Sequence, residues 1–208
     1  MGRALASLIS VVVLGAPTVG HADVFKLFGE VHGGGMYGKG LAGGQKDAAF
    51  FAQSPHGVYG VSVGAELLFF DAWIEHHQYT DGSRLTTWTQ FGLGIHNMLD
   101  LGDEKQRKDH KGGYLEFGGA LFFGVGTGQQ VMPPLDNAQL SDKGFLIEGR
   151  FGFGTHLSKN FDLGLSVPVS YGFFFKSGNG ATANDTSTQY RSVQAEGLLV
   201  LRGKVALF

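Results

Sequence analysis

The sequence predicts an all-β protein, an eight-stranded antiparallel up-and-down transmembrane β-barrel. Three observations lead to this prediction. Eight segments have side chains that alternate between two environments, these segments are long enough to cross a bilayer, and one face of each is almost continuously apolar. After residue 22, no apolar run approaches the ~20 residues of a membrane-spanning helix. A closed barrel is the other structure that satisfies every backbone hydrogen bond in lipid.

The first 22 residues have the layout of a secretory signal peptide. Arg3 supplies the positive charge, residues 4–16 are apolar or small, and Pro17 breaks the segment. Gly20 and Ala22 are small residues at the two positions that a signal peptidase reads. Because the apolar stretch is well short of a spanning helix, we expect cleavage after Ala22 rather than a membrane anchor. The predicted division is a signal peptide at 1–22 and a barrel domain at 23–208.

The composition excludes several classes of protein. The 208 residues include no cysteine, so no disulfide stabilises the chain, and the net charge of −2 offers no basic surface for nucleic acid. Charged residues make up 16% of the chain, which is low for a water-soluble domain. The 35 glycines follow no collagen-like period, and the 18 phenylalanines argue against a disordered chain.

The stretch "YLEFGGALFFGVGTG" at 114–128 shows the alternation on which the prediction depends. Its odd positions are apolar, with Leu115, Phe117 and Leu121 among them, whereas its even positions carry Glu116 and small residues. Successive side chains of a strand point to opposite faces. The segment therefore has two different environments on its two sides.

Comparable alternation defines eight predicted strands, of which residues 72–80 alternate least clearly. The strands are residues 24–32, 58–70, 72–80, 85–96, 114–128, 144–156, 161–175 and 192–208. Their lengths of roughly 9–17 residues exceed the ~5–6 residues that are usual in soluble proteins. They suit a bilayer, which a tilted strand crosses with about 9–11 residues.

The connections predict which way the barrel is oriented. With both termini in the periplasm, the long polar connections at 38–56, 129–143 and 176–191 fall on the extracellular side, as does a shorter turn at 81–82. Tight turns near 70–71 and 157–160 fall on the periplasmic side, which is the asymmetry expected of outer-membrane barrels. One periplasmic connection, "MLDLGDEKQRKDHKG" at 98–112, is long and charged, and nothing in the sequence explains its length.

The polar faces are rich in Gly and Ser with single charges, which suits the narrow lumen of an eight-stranded barrel. We therefore assign the apolar faces to lipid and the polar faces to the lumen. Mid-strand charges on the non-aromatic face are predicted to fill the lumen as a salt-bridge and hydrogen-bond network: Glu30, Glu66, Glu116, Glu148, Arg150, Glu196, Arg202 and Lys204. An ion path or proton relay is the alternative use of these charges, but a small lumen with both signs of charge favours a filled, paired interior.

Two motifs that resemble binding sites receive structural interpretations. The glycine clusters at 29–35 and 124–128 open no helix, so they lack the context of a nucleotide-binding loop. His76 and His77 follow Glu75, but adjacent residues of a strand face opposite sides and cannot easily share an ion. We therefore predict no metal site and no cofactor.

His156 and Ser158 are spaced so that a histidine could activate a serine on the same face of a strand. The spacing resembles that of the outer-membrane lipid A deacylases, which are also small barrels. The rest of their motif is not evident in this chain, and the pair falls at the periplasmic end of the predicted barrel. We therefore predict no catalytic residue, and lipid hydrolysis is kept as an alternative.

Taken together, the leader, the eight alternating segments, "FGFGTHLSKNFDLGLSVPVSYGF" (151–173) and a terminal Phe208 resemble the small bacterial outer-membrane barrels of the OmpA/OmpX-like group. The resemblance covers residues 23–208. It implies that Phe208 is part of the signal read by the barrel-assembly machinery. In this chain Arg202 and Lys204 are in phase with Phe208, whereas the family usually has apolar residues there. Either a bulge shifts the register or the signal is atypical.

The resemblance and the residues together predict a non-enzymatic outer-membrane protein of a Gram-negative bacterium. Its role would be structural, surface-exposed or adhesion-type, acting through outer loops that include 131–142 and 178–189. Its expected partners are outer-membrane lipids, the assembly machinery and an unidentified extracellular ligand, with no nucleic acid. The alternatives are a narrow channel or carrier for small or apolar solutes, a lipid-modifying hydrolase, and a soluble secreted β-barrel.

Overall fold

The protein is described by a computed structural model over residues 24–43, 56–80, 84–108, 111–130, 140–177 and 189–207. Eight strands and one short helix make up this part of the chain. They are β1 (Phe25–Gly43), β2 (His56–Leu67), β3 (Phe70–Thr80), β4 (Arg84–Asp100), α1 (Glu104–Lys108), β5 (Gly112–Gln130), β6 (Leu140–Ser158), β7 (Phe161–Ser177) and β8 (Gln189–Ala206). No helix among the described residues is long and apolar enough to cross a membrane.

The eight strands form a closed antiparallel barrel in which each strand pairs with its neighbours in sequence and β1 pairs with β8. This confirms the predicted fold. If the paired residue is followed from each strand to the next, a path that starts at Glu30 on β1 reaches Tyr190 on β8. Tyr190 pairs with Gly43, so the path returns to β1 at Gly43 and not at Glu30. Such a stagger means that the strands are strongly tilted to the barrel axis.

Strand boundaries differ from the predicted ones mainly where glycine is dense. β1 continues to Gly43, well beyond residue 32, because glycines in its second half interrupt the side-chain pattern without interrupting the backbone ladder. β3, the weakest prediction, is a regular strand. The tight turn that precedes it lies at Leu68 and Phe69 rather than at 70–71, with Leu68 in the left-handed region at φ 60°.

The long connection between β4 and β5 has a physical reason that the sequence pattern did not reveal. Residues 104–108 form α1, and the helix start is a reciprocal capping arrangement. Gln106 donates its backbone N–H to Asp103 Oδ1 (2.8 Å), and Asp103 donates its own to Gln106 Oε1 (3.1 Å). The Leu101 N–H bonds to the Gly113 carbonyl at 2.7 Å, which closes the base of the connection. The described charged residues of this connection, at 103–108, therefore belong to a folded unit at one end of the barrel.

The apolar faces point outward, away from the lumen. Large side chains such as Val63, Leu121 and Phe151 are half-exposed or more, and they form a belt round the whole barrel. This arrangement is the reverse of a soluble barrel and is the one required by lipid. The closed aromatic core that the soluble alternative requires on these faces is not formed by the described strands.

The inner face differs from its prediction in one respect, since it is not free of aromatic residues. The start of β1 and the end of β8 lie at one end of the barrel, here called the terminal end, and the opposite end is called the loop end. Near the loop end, Trp88 and Phe174 pack edge-on and Phe174 stacks on Tyr190. The full inner apolar cluster consists of Met36, Val58, Trp73, Tyr79, Trp88, Phe122, Leu146, Phe174, Tyr190, Leu198 and Val200.

Inward glycines give the large inner side chains their space. A Cβ added to Gly124 would lie 2.4 Å from Trp88 Cζ2, closer than real contacts allow. The glycine cluster at 124–128, which superficially resembles a nucleotide loop, therefore lies within β5, and Gly124 accommodates an indole ring.

An arginine on the lipid-facing side should reveal the membrane belt. Leu93 and Leu99 face outward from the same strand with nearly equal exposure, 54% and 53%, but Leu93 lies mid-strand and Leu99 at the terminal end. We expect Leu93→Arg to lower the free energy of unfolding in bilayers by about 2–4 kcal/mol and Leu99→Arg by about 0–1 kcal/mol. Urea titrations of both variants in the same lipid vesicles measure the difference, and equal losses would contradict the belt.

A methyl group at Gly124 should disturb the packing of Trp88. We expect Gly124→Ala to destabilise the barrel by roughly 1–3 kcal/mol, because overpacking forces side chains and backbone to shift. Gly149→Ala is the matched control, since a Cβ there meets nothing within 4 Å and points outward. Unfolding titrations should show little change for the control, and a neutral Gly124→Ala would contradict the packing described.

Candidate functional site

The candidate site is the polar interior, where side chains from all strands meet in the lumen. At its centre, Arg202 on β8 bonds to two carboxylates. Its Nε donates to Glu30 Oε1, and its Nη2 donates to Glu116 Oε1 at 3.0 Å. Glu30 lies on β1 and Glu116 on β5, and these strands are on opposite sides of an eight-stranded ring. The guanidinium therefore extends across the lumen.

A second guanidinium serves the neighbouring carboxylates. Arg150 donates from Nε to Glu148 Oε1 at 3.2 Å on its own strand, and its Nη2 lies 3.8 Å from Glu75 Oε1 on β3. Its Nη1 is 3.9 Å from Glu30 Oε2, so the two arginines share one glutamate. Fixed pairs of this kind bind the interior together because an unpaired charge in it would be costly.

Histidines extend the network towards both ends. His96 Nε2 lies 3.1 Å from Glu116 Oε1, and His96 Nδ1 lies 3.7 Å from Asp71 Oδ2. Towards the loop end, His77 Nδ1 lies 2.6 Å from the Tyr79 hydroxyl, which donates to Glu196 Oε1 at 3.0 Å. Charged groups are thereby connected to the inner apolar cluster through Tyr79.

Smaller ion pairs occupy the terminal end. Lys26 binds Glu66 at 2.9 Å between β1 and β2, and Lys204 binds Asp162 at 2.8 Å between β8 and β7. The lysine partners are less buried than Arg202, with Lys26 29% exposed and Lys204 22% exposed against 8%. These pairs lie closer to solvent and hold neighbouring strands rather than opposite ones.

The structure places each predicted interior charge on the lumenal side. Glu30, Glu116, Glu148, Arg150 and Arg202 lie in the central group. Glu196 is reached through Tyr79, and Glu66 and Lys204 lie apart at the terminal end. Phe208 lies outside the described residues. The pairing of β8 with β1 runs without a register shift from Ser192 to Ala206, so no bulge in that stretch alters the facing of Leu201 or Val205.

Several interior groups are not among the residues predicted for the network. They are His32, Asp71, Glu75, His77, Tyr79, His96, His156 and Asp162. Glu75 and His77 have the i, i+2 spacing of one strand face, which was a usable signal. The outward polar residue His76 lies between them and obscures this spacing in the sequence. His76 faces outward, where its Nδ1 lies 2.8 Å from Thr89 Oγ1.

The histidine–serine pair considered for hydrolysis is not assembled. His156 Nδ1 lies 2.6 Å from Asp162 Oδ1, and its Nε2 lies 3.1 Å from Asp100 Oδ1, so both ring nitrogens face carboxylates. Ser158 lies beyond a register shift and its hydroxyl accepts a bond from the Asn160 N–H at 3.2 Å. The bulge separates two residues that a regular strand would place on one face.

The fold, the outward apolar belt and the filled polar lumen define a transmembrane β-barrel of the bacterial outer-membrane type. No known family profile matches the chain, and no curated relative matches it. Among solved structures, the chain is similar to Neisserial surface protein A, at 10% identity over 91% of this chain and 100% of that one, with a TM-score of 0.44. It is also similar to the translocator domain of the autotransporter NalP from Neisseria meningitidis, at 11% identity over 97% and 95% of the two chains, with a TM-score of 0.34.

Removing the Arg202 guanidinium should leave two buried carboxylates without their main partner. We expect Arg202→Met to lower the free energy of unfolding by roughly 3–5 kcal/mol. Lys26→Met is the matched control, because it breaks a part-exposed pair worth about 0–1 kcal/mol. Denaturant titration of both variants checks the contrast. Adding Glu30→Gln and Glu116→Gln to Arg202→Met should recover part of the loss, and failure to recover any would contradict the charge-pairing explanation.

Proposed function

We propose that this protein is a non-enzymatic outer-membrane scaffold that presents the connections of its loop end at the cell surface. The observation that carries the proposal is Arg202, whose guanidinium lies between Glu30 and Glu116 on opposite walls of the lumen. A side chain held in this position obstructs the centre of the barrel. The strands therefore act as a rigid support, and specific recognition belongs to the ends.

The inner apolar cluster supports the same role. Trp88, Phe174 and Tyr190 pack together towards the loop end, above the charged centre. A solute crossing the barrel would have to displace both layers. This favours a closed scaffold over the alternative of a narrow channel or carrier.

Contacts at His156 count against a lipid-modifying hydrolase. A serine nucleophile needs a base within hydrogen-bond reach, and His156 is already held by Asp100 and Asp162. We propose that His156, Asp100 and Asp162 stabilise the pairing of strands at the terminal end of the barrel. Lipids would contact the outer belt, and the assembly machinery would recognise the terminal strand, with the surface role confined to the connections of the loop end.

Two measurements test the scaffold. In planar bilayers, the full chain should show no discrete conductance steps, and reproducible steps would favour the channel. In a cell-adhesion assay, residues 131–139 and 178–188 are replaced with short Gly-Ser turns. This change should reduce the number of expressing cells retained on surfaces coated with extracellular matrix at least several-fold. The matched control replaces 101–111 at the opposite end and should leave retention unchanged. Both variants must keep heat-modifiable gel mobility, and equal retention by all three folded proteins would contradict the surface role.

A further inference from the structure

We propose that the lumen contains a structural binding site for a divalent transition ion of the zinc type, formed by His32, Glu75 and His77. His32 is on β1, and the other two residues are on β3, a strand that does not pair with β1. One potential ligand atom from each residue lies within 4.8 Å of the other two. Two imidazoles and one carboxylate form a ligand set that zinc accepts.

The distances suit an ion placed between the three side chains. Glu75 Oε1 is 3.0 Å from His77 Nε2 and 4.0 Å from His32 Nε2. Ligands about 2.0–2.2 Å from a tetrahedral zinc are roughly 3.3 Å apart. The two observed separations lie on either side of that value. Small side-chain rotations would therefore complete the geometry without moving the backbone.

The hydrogen bonds around His77 determine which of its nitrogens faces the site. Tyr79 donates its single hydroxyl proton to Glu196 Oε1, so the same oxygen accepts a proton from His77 Nδ1 at 2.6 Å. His77 Nε2 is then the nitrogen that faces Glu75 Oε1, at 3.0 Å, which is the position required of a ligand atom. Metal-binding histidines commonly have their second nitrogen anchored in this way.

His32 supplies an independent indication. Its side chain is 1% exposed, and its Nε2 has no hydrogen-bond partner although it faces Glu75. The His32 and His77 rings meet edge-on with centroids 4.6 Å apart, and the Nε2 atoms of both lie near Glu75 Oε1. A buried imidazole nitrogen without a partner is costly, and an ion at this point would satisfy it.

The charges of the surrounding groups also favour a cation. Glu75, Glu148 and Glu196 are all largely buried, and Arg150 contacts the first two, whereas Glu196 accepts a bond from Tyr79. One guanidinium cannot neutralise three carboxylates. A divalent ion bound to Glu75 would supply the missing positive charge in a region that water does not screen.

The remaining interactions of Glu75 are compatible with metal binding. Its second oxygen, Oε2, accepts a bond from Gln90 Nε2 at 2.8 Å, whereas Oε1 faces the two histidines and lies 3.8 Å from Arg150 Nη2, beyond hydrogen-bond distance. A cavity of about 10 Å³ next to His77, also lined by Glu148 and Glu196, has room for about one water molecule. The ion would connect β1 to β3 across the lumen and would stabilise the staggered ring.

Metal content and spectroscopy of the full chain, folded in detergent micelles, test the site. After exposure to Zn²⁺ and gel filtration, we expect about one ion per chain, with no retention of Mg²⁺ or Ca²⁺. Co²⁺ should give the visible absorption of a tetrahedral nitrogen–oxygen site. His32→Ala and His77→Ala should reduce bound metal at least tenfold. Tyr79→Phe should weaken affinity about 10–100-fold, because it removes the group that orients His77.

His156→Gln is the matched control, since His156 is also a buried lumenal histidine facing carboxylates but lies outside the proposed site. It should retain metal at the level of the unchanged chain. Heat-modifiable mobility is recorded for every variant, so that loss of metal is scored only on folded barrels. Substoichiometric Zn²⁺ in the folded unchanged chain, or equal binding by His32→Ala, would overturn the proposal.

Discussion

Arg202 connects parts of the barrel that the backbone ladder cannot connect. β8 pairs with β1 but not with β5, so the contact with Glu116 exists only because the side chain spans the lumen. A buried ion pair often contributes little net stability, whereas an unpaired buried charge is strongly destabilising. The contact is therefore important mainly because its loss would leave the Glu116 carboxylate buried without this partner. The lumen therefore requires each buried charge to lie next to a partner of opposite sign.

The stagger of the strands is what allows these partners to meet. A strong tilt places residues from distant sequence positions at one height, so Glu30, Glu116 and Arg202 meet although they lie on three strands. Inward glycines allow the same ring to contain large side chains near the loop end. Gly124 makes room for Trp88, and the indole in turn packs on Phe174. Charged and aromatic layers thus share one lumen without competing for the same space.

Local periodicity predicted much of this architecture, because facing in a strand depends only on parity. The alternation at 114–128 placed Glu116 and Leu121 on opposite faces, and the composition of the two faces assigned Glu116 to the lumen and Leu121 to lipid. Cross-lumen partners could not be predicted, since they depend on register and tilt summed over several strands. Glu75 was missed because β3 carries outward polar groups, His76 and Gln78, which blur its alternation. The inner aromatic layer was not predicted for a related reason. Trp88 and Phe122 lie on strand faces where most other residues are glycine or small and polar, so these faces do not look aromatic in the sequence.

Tyr79 shows how the two layers of the lumen become one structure. Its ring belongs to the inner apolar cluster, and its hydroxyl lies between His77 and Glu196 in the charged region. A tyrosine can occupy such a boundary because one end is apolar and the other end bonds to polar partners. Any ion or proton held near Glu75 is thereby linked through His77 to the packing of the loop end. Occupancy of the charged centre would then affect the rigidity of the barrel at its loop end, although the two lie at different heights in the lumen.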